Sequence, residues 1–169
     1  SVLHSYIDSS IDNTINEIKQ TKLGVLAATN MGIYNFTKNS GIMNGSNNIK
    51  FNCIFEASDG TIYAGTGNNS GIYYWNVDKE LWEISNIRKG SISTFVEDPM
   101  GYVFAVSNNG GNSNNEPDFD PETLSYKTIN TIYRGKTPLT FYAFEDMLSK
   151  GVYDKNNNPV IIDSFNKDC

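Results

Sequence analysis

The stretch Phe51 to Trp75, FNCIFEASDGTIYAGTGNNSGIYYW, contains the clearest pattern of strands and turns in the chain. Two apolar runs flank the dipeptide Asp59-Gly60, in which glycine supplies the positive φ that a tight hairpin turn requires. A polar turn follows, and then a third apolar run, GIYYW. Apolar runs of this length between turn residues are typical of buried β-strands. The stretch therefore predicts an antiparallel meander.

The same order of strands and turns occurs before and after this stretch. Gly24, Gly60 and Gly101 mark the first turn of three copies, 36 and 41 residues apart. LAAT at 26–29 corresponds to YAGT at 63–66 and to FAVS at 104–107. With a fourth strand at LWEISNI, each copy holds four strands in about forty residues, which is the size of a propeller blade. Because a single such sheet cannot bury both faces, successive sheets must stack.

The fold class predicted from this repeat is all-β, a small or partial β-propeller of about four blades. Each blade is expected to be a four-stranded antiparallel meander, and the whole chain is one domain, 1–169. The predicted repeats are roughly 15–50, 51–91, 92–139 and 140–169, the last beginning near Phe141. Residues 1–14 are a candidate for closing the last blade of a complete ring. The alternative is a piece of a larger propeller whose other blades lie elsewhere.

The segment SDGTIYAGT at 58–66, followed by GIYYW at 71–75 and by Trp82, resembles known propeller repeats. It is similar to the sialidase-type BNR (Asp-box) repeat and to the repeat of two-component-regulator propellers. LAATNMGIY at 26–34 is a second match, and the resemblance covers about two thirds of the chain. Sialidases hold the substrate carboxylate with three arginines, whereas this chain has two, Arg88 and Arg134. The resemblance therefore implies the fold and not that active site.

Composition excludes several functional classes. The formal net charge is −6 and no basic stripe exists, so we expect no nucleic-acid partner. No apolar run approaches the ~20 residues that a membrane-spanning helix needs. The one histidine, His4, lies near the start of the sequence, so a serine or cysteine nucleophile has no evident base. Cys53 lies in an apolar run and is predicted to be a small buried residue.

Paired carboxylates are a further feature of the repeats. Glu56, Glu97 and Glu145 occupy similar positions in successive copies. A glycosidase needs two carboxyl groups at a defined separation, and equivalent positions in neighbouring blades lie close together. The simpler interpretation is that these acids accept hydrogen bonds from backbone groups of the turns. That interpretation is the one we predict, and no catalytic residue is assigned.

Two polar segments carry the oxygen ligands that Ca²⁺ prefers. One contains Asp118, Asp120 and Glu122, and the other contains Asp154, Asn156 and Asn158. The second lacks the glycine and the distal glutamate of an EF-hand loop. Ordinary polar loops are the simpler interpretation of both, so no cofactor is expected and Ca²⁺ is the alternative.

Aromatic residues are the strongest sign of recognition. The candidate ligand-binding residues are Tyr73, Tyr74, Trp75 and Trp82, together with Asn68 and Asn69. Alternation along a strand places Tyr73 and Trp75 on one face and Tyr74 on the other. Flat apolar rings with polar tips beside asparagine-rich turns suit the recognition of a saccharide or a protein.

The function expected from these features is that of a non-enzymatic recognition module, which binds a glycan or protein ligand through the propeller loops. A surface or phage-tail receptor-binding protein fits this description, at an extracellular, cell-surface or virion location, and an oligomer would add avidity. One alternative is a fragment of a glycoside-hydrolase-like, sialidase-type propeller enzyme. Another is a sensor domain of the regulator-propeller kind.

Overall fold

The computed structural model describes residues 14–38, 41–108, 118–120, 125–127, 130–144, 152–153 and 159–160. Within these ranges all regular structure is β, which confirms the predicted all-β class. No helix in them is long and apolar enough to cross a membrane. The strands are β1 (Ile15–Thr21), β2 (Gly24–Thr29), β3 (Gly32–Asn35), β4 (Phe51–Glu56), β5 (Ile62–Thr66), β6 (Ile72–Asn76), β7 (Leu81–Ile84), β8 (Ser91–Glu97), β9 (Val103–Asn108), β10 (Asp118–Asp120), β11 (Ser125–Lys127), β12 (Asn130–Gly135), β13 (Tyr142–Ala143), β14 (Val152–Tyr153) and β15 (Pro159–Val160).

These strands form three antiparallel sheets of three or four strands and two hairpins. The first sheet has the order β1-β2-β3, the second β4-β5-β6-β7 and the third β8-β9-β12-β13. The hairpins are β10-β11 and β14-β15. Along the chain, the hairpin β10-β11 comes between β9 and β12, which are neighbouring strands of the third sheet. The segment after Phe141, aligned above with the start of a fourth repeat, contributes β13 as the outer strand of the third sheet.

The first sheet has three strands where four were expected. After β3, the fourth strand is reduced to a single bridge between Tyr34 and Ile42. The following residues hydrogen-bond to both sheets. The amide of Asn48 donates to the carbonyl of Met31 next to β3 at 3.0 Å, and the carbonyl of Asn44 accepts from the amide of Trp82 in the second sheet at 2.9 Å. Gly45 makes this close approach possible, since its φ is 83° and a side chain there would collide with the backbone of Trp82.

The predicted first turns are present in all three sheets. Gly24, Gly60 and Gly101 have positive φ values of 122°, 92° and 87°. The carboxylate of Asp98 accepts hydrogen bonds from the amides of Met100 and Tyr102, both at 2.9 Å. This is the capping role expected of aspartate in a turn.

The second sheet is the middle layer, with a core on each face. One cluster joins it to the first sheet and includes Leu26, Phe51, Ile62 and Trp82. The other joins it to the third sheet and includes Cys53, Tyr63, Ile72, Val103 and Phe141. Each large apolar side chain buried in this way stabilises the fold by ~1.5–3 kcal/mol. The sheets stack in the same orientation. Equivalent residues of the first and of the second sheet each face the sheet that follows along the chain.

β-Bulges mark the junctions between sheets. The ladders of β1, β4 and β8 each contain a register shift at one equivalent position, occupied by Asn16, Asn52 and Ser93. A bulge re-aims its side chain away from the strand's own ladder. The Asn16 amide donates a hydrogen bond to the Phe51 carbonyl at 2.7 Å, and the Asn52 amide donates one to the Ile92 carbonyl at 3.1 Å. Each asparagine therefore connects the first strand of one sheet to the first strand of the next.

Two repeat glutamates strengthen the same junctions. Glu56 accepts a hydrogen bond from the backbone amide of Lys22, in the first turn of the preceding sheet, at 2.8 Å. Glu97 accepts one from the backbone amide of Ser58 in the same manner, also at 2.8 Å. The interpretation of these carboxylates as backbone hydrogen-bond acceptors is confirmed. Glu145 lies outside the described residues.

Candidate functional site

A cavity of about 220 Å³ opens between the first and second sheets. Its apolar wall consists of Leu23, Ile42, Met43 and the ring of Trp75. Met43 is buried, whereas Trp75 is partly exposed. Pockets for drug-sized ligands measure ~300–1,000 Å³, so this one suits a single small ring or the end of a longer ligand.

The described residues of the lining also include four polar ones: Asn35, Lys38, Asn44 and Glu80. The amide of Asn35 is 1% exposed and is fixed on both sides. It donates to the Leu23 carbonyl and accepts from the Lys38 amide, both at 3.1 Å. Lys38, Asn44 and Glu80 are exposed, and in the described part of the chain no hydrogen bond or ion pair engages their side chains. A cation, an anion and an amide therefore surround the cavity with free hydrogen-bonding groups.

Trp75 is held in place by Trp82. The two indole rings meet edge to face with centroids 5.7 Å apart. Trp82 is 2% exposed and belongs to the core between the first and second sheets. Trp75 therefore presents one part of its ring to the cavity while the rest is fixed by packing, which is the arrangement of a preorganised aromatic platform.

The two tyrosines beside Trp75 have other roles. Tyr73 packs on the same face of the second sheet as Trp75 and meets Phe51 edge to face at 5.5 Å, and Tyr74 packs on the opposite face. The alternation predicted from the sequence is confirmed. Burial raises the pKa of Tyr73. Neither tyrosine lines the cavity.

Tyr74 belongs to a polar cluster around Glu83. The carboxylate of Glu83 accepts hydrogen bonds from Asn76 at 3.0 Å, from Lys79 at 2.9 Å and from the Tyr74 hydroxyl at 2.9 Å. These hydrogen bonds, that of Asn76 first, lower the pKa of Glu83 to about 2. The carboxylate stays ionised over the physiological range and connects β6 to β7.

The asparagines of the turn after β5 differ in their surroundings. Asn69 has a φ of 67°. Its side-chain oxygen accepts a hydrogen bond from the backbone amide of Gly90 at 2.8 Å, and its backbone amide donates one to the Ser91 hydroxyl at 3.1 Å. It ties this turn to the chain entering β8. Asn68 is exposed in the same turn. Neither residue contributes to the cavity, so Trp75 is the member of the six-residue candidate set that does.

Sequence reasoning missed the polar residues of the cavity. Lys38, Asn44 and Glu80 lie in segments where the repeats do not align, so no repeat pattern could identify them. Glu80 also has a φ of 53°, an uncommon conformation for a residue with a side chain. Such positions persist where the surrounding structure holds them, and they are frequent at binding sites.

The candidate calcium ligands are not brought into a described site. The backbone of Asp118 and Asp120 lies in β10, which pairs with β11, and Glu122 lies outside the described residues. Asp154, Asn156 and Asn158 also lie outside them. The residues that the structure does describe contain no group of three His, Cys, Asp or Glu side chains that could hold a metal ion. Calcium binding stays the alternative to the prediction that no cofactor is bound.

Comparison with known proteins adds no assignment. No protein-family model, curated protein or solved structure matches the chain. The interpretation of the cavity therefore depends on its own geometry and chemistry.

Proposed function

We propose that this protein is a recognition module that binds a saccharide in the cavity between its first and second sheets, with a sugar ring against Trp75. The observation that carries the proposal is this cavity of about 220 Å³, in which a fixed, partly exposed indole faces free polar groups. Sugars present apolar C–H faces and many hydroxyl groups, so an aromatic platform with an amide, an ammonium and a carboxylate suits them.

The proposed architecture is a run of consecutive β-propeller blades, related to the BNR-type or regulator-type repeats. Two observations support it. Each sheet packs one face on the opposite face of the next, as blades do around an axis. The first strands β1, β4 and β8 also neighbour one another in turn. In this arrangement the cavity lies between two blades, where connecting segments meet.

Recognition is favoured over glycoside hydrolysis by the environment of the carboxylates. Glu56 and Glu97, the acids at equivalent repeat positions, each hold a backbone amide of the preceding sheet. Their hydrogen-bonding capacity supports the junctions, and no second acid accompanies Glu80 among the described residues that line the cavity. A pair of carboxyl groups flanking a substrate bond is what hydrolysis needs.

The biological setting that we propose is attachment at a surface. A polar, asparagine-rich chain of net charge −6 suits an extracellular, cell-surface or virion protein such as a phage-tail receptor-binding module. Small cavities give weak binding to single sugars, so such a module would gain affinity by oligomerising. A protein ligand is the alternative occupant of the same cavity.

A glycan array probed with the purified chain tests the proposal, followed by titration calorimetry with the saccharide that is retained. Trp75→Ala is expected to weaken binding at least tenfold, about 1.4 kcal/mol, since it removes the stacking surface. Glu80→Gln is expected to weaken binding without disturbing the core, because the Glu80 side chain is exposed. The matched control is Val77→Ala, which alters an exposed residue of the same β6–β7 region outside the cavity.

Two outcomes would contradict the proposal. One is that the array retains no saccharide and a protein ligand binds in the cavity instead. The other is a retained saccharide whose affinity is unchanged in both Trp75→Ala and Glu80→Gln.

A further inference from the structure

The outer face of the third sheet is an unusual surface. Val96, Phe104, Arg134 and Tyr142 lie side by side in one row across its four strands. The equivalent faces of the first and second sheets are covered by the next sheet. Here Val96 is 61% exposed and Tyr142 is 41% exposed. A cation therefore lies among aromatic rings on an accessible face.

Three aromatic rings position the guanidinium of Arg134. Its central carbon lies 3.7 Å from the centroid of the Tyr102 ring, 5.1 Å from that of Phe144 and 5.7 Å from that of Phe104. Such contacts fix the plane of the guanidinium and leave its N–H donors for other partners.

Those donors have no acceptor in the described structure. The Nε of Arg134 is buried without a hydrogen-bond partner, and no ion pair to the residue is present in the described part of the chain. Buried donors are nearly always satisfied in folded proteins, and an unsatisfied one calls for a ligand or an ordered water.

Lys136 adds a second positive charge at the same place. Its ammonium lies 4.6 Å from the centroid of the Tyr102 ring that Arg134 also covers. Lys136 is exposed, and no described carboxylate pairs with it. Two unneutralised cations around one ring stand out in a chain of net charge −6.

We propose that Arg134 and Lys136 form a binding site for an oxyanion on the Tyr102 side of the third sheet, separate from the Trp75 cavity. The planar fork of arginine binds two oxygens of a carboxylate, sulfate or phosphate at once, and the lysine contributes a point charge. The site would take the oxyanion of an acidic ligand, and the ring of Tyr102 contacts both cations.

The test is an NMR titration at constant ionic strength with sulfate, phosphate or glucuronate, and with chloride as the reference anion. The chain has two arginines, so the Nε–H region of the spectrum holds an internal control. We expect the Arg134 signal to move and the Arg88 signal to stay, because Arg88 is exposed on another part of the chain. Tighter binding of glucuronate would identify an acidic sugar as the source of the oxyanion, and tighter binding of phosphate or sulfate would identify an inorganic or esterified group.

Variants separate binding from folding. Lys136→Gln, which changes an exposed side chain, is expected to weaken oxyanion binding several-fold in a folded protein. Arg134→Lys keeps the charge but loses the fork, so it is expected to weaken binding more. Arg88→Gln is the matched control and is expected to have no effect. Shifts no larger than those with chloride, or equal losses in Arg88→Gln and Lys136→Gln, would overturn the site and leave the saccharide proposal untouched.

Discussion

Replacement of Tyr63 by phenylalanine is expected to stabilise the protein. Tyr63 is fully buried between the second and third sheets, where its ring meets Phe141 at 5.5 Å and Phe95 at 6.0 Å. Among the described residues the Thr61 side chain lies near its hydroxyl, but no hydrogen bond of ordinary geometry reaches it. Burial, with the charges of Asp59 and Glu97, raises the pKa of Tyr63, so the hydroxyl stays neutral.

The magnitude follows from two opposing terms. A buried hydroxyl without a partner costs ~1–3 kcal/mol, and its removal restores that amount. The void left by one oxygen atom costs roughly 0.3 kcal/mol. The net gain in the free energy of unfolding is therefore about 0.7–2.7 kcal/mol, or roughly 1–11 °C in the melting temperature of a domain of this size. The repeats agree with this direction, because the equivalent residues are Leu26 and Phe104.

Urea denaturation followed by tryptophan fluorescence measures the effect. Tyr63→Phe is expected to raise the midpoint without changing the m-value. Tyr74→Phe is the matched control with the same chemical change and the opposite sign, since the Tyr74 hydroxyl donates to Glu83 at 2.9 Å. A loss of stability in Tyr63→Phe would contradict this prediction, because it would mean that the buried hydroxyl has a hydrogen-bond partner, for example an internal water.

Three further predictions concern the turns and the titrating groups. Gly45→Ala is expected to destabilise by at least ~2 kcal/mol, because a left-handed conformation costs a side chain ~1–2 kcal/mol and the new Cβ would also collide with the backbone of β7. Gly41→Ala, with φ 72° and open space around the site, is expected to incur the conformational cost alone, and thermal melts compare the two. Burial raises the pKa of the Cys53 thiol to about 12, so in a variant with the other cysteine changed to serine a thiol reagent at pH 8 should react no faster than the protein unfolds. The pKa of Glu83 is lowered from 4.5 to about 2, so its contribution to stability is complete above pH 4.5 and is lost as the pH falls towards 2. Denaturation midpoints between pH 2 and 6 should show this loss in the wild type and not in Glu83→Gln.

Much of the fold could be predicted from sequence because its strands follow a repeat. Glycine at turn positions such as Gly60 and apolar runs on both sides fixed the meander, since few other residues tolerate positive φ. The loss of the fourth strand in the first sheet was not predictable. The segment after β3 divides its hydrogen bonds between two sheets, and the bond between Asn44 and Trp82 is a contact that no local pattern contains.

The site was less predictable than the fold. Trp75 stood out because large aromatic residues are rare and their alternation could be read along a strand. Trp82 and Tyr73 are also large aromatic residues on these strands, yet both pack in the core between the first and second sheets. The size of a ring does not indicate which face of a sheet is open to solvent. Lys38 and Glu80 come together across two sheets, and only the stacking of those sheets brings them to one cavity.

Saccharide binding at Trp75 is tested most directly by a ¹⁵N NMR titration of the indole N–H signals with the saccharide that the array retains. The chain has two tryptophans, of which Trp75 lines the cavity and Trp82 is 2% exposed. We expect a saturable shift of the Trp75 signal and a smaller shift of the Trp82 signal through their edge-to-face contact. In Trp75→Ala the Trp75 signal is lost, and the Trp82 signal is expected not to shift when the saccharide is added. Saturable binding that leaves the Trp75 signal in place and moves residues of another surface would contradict this expectation.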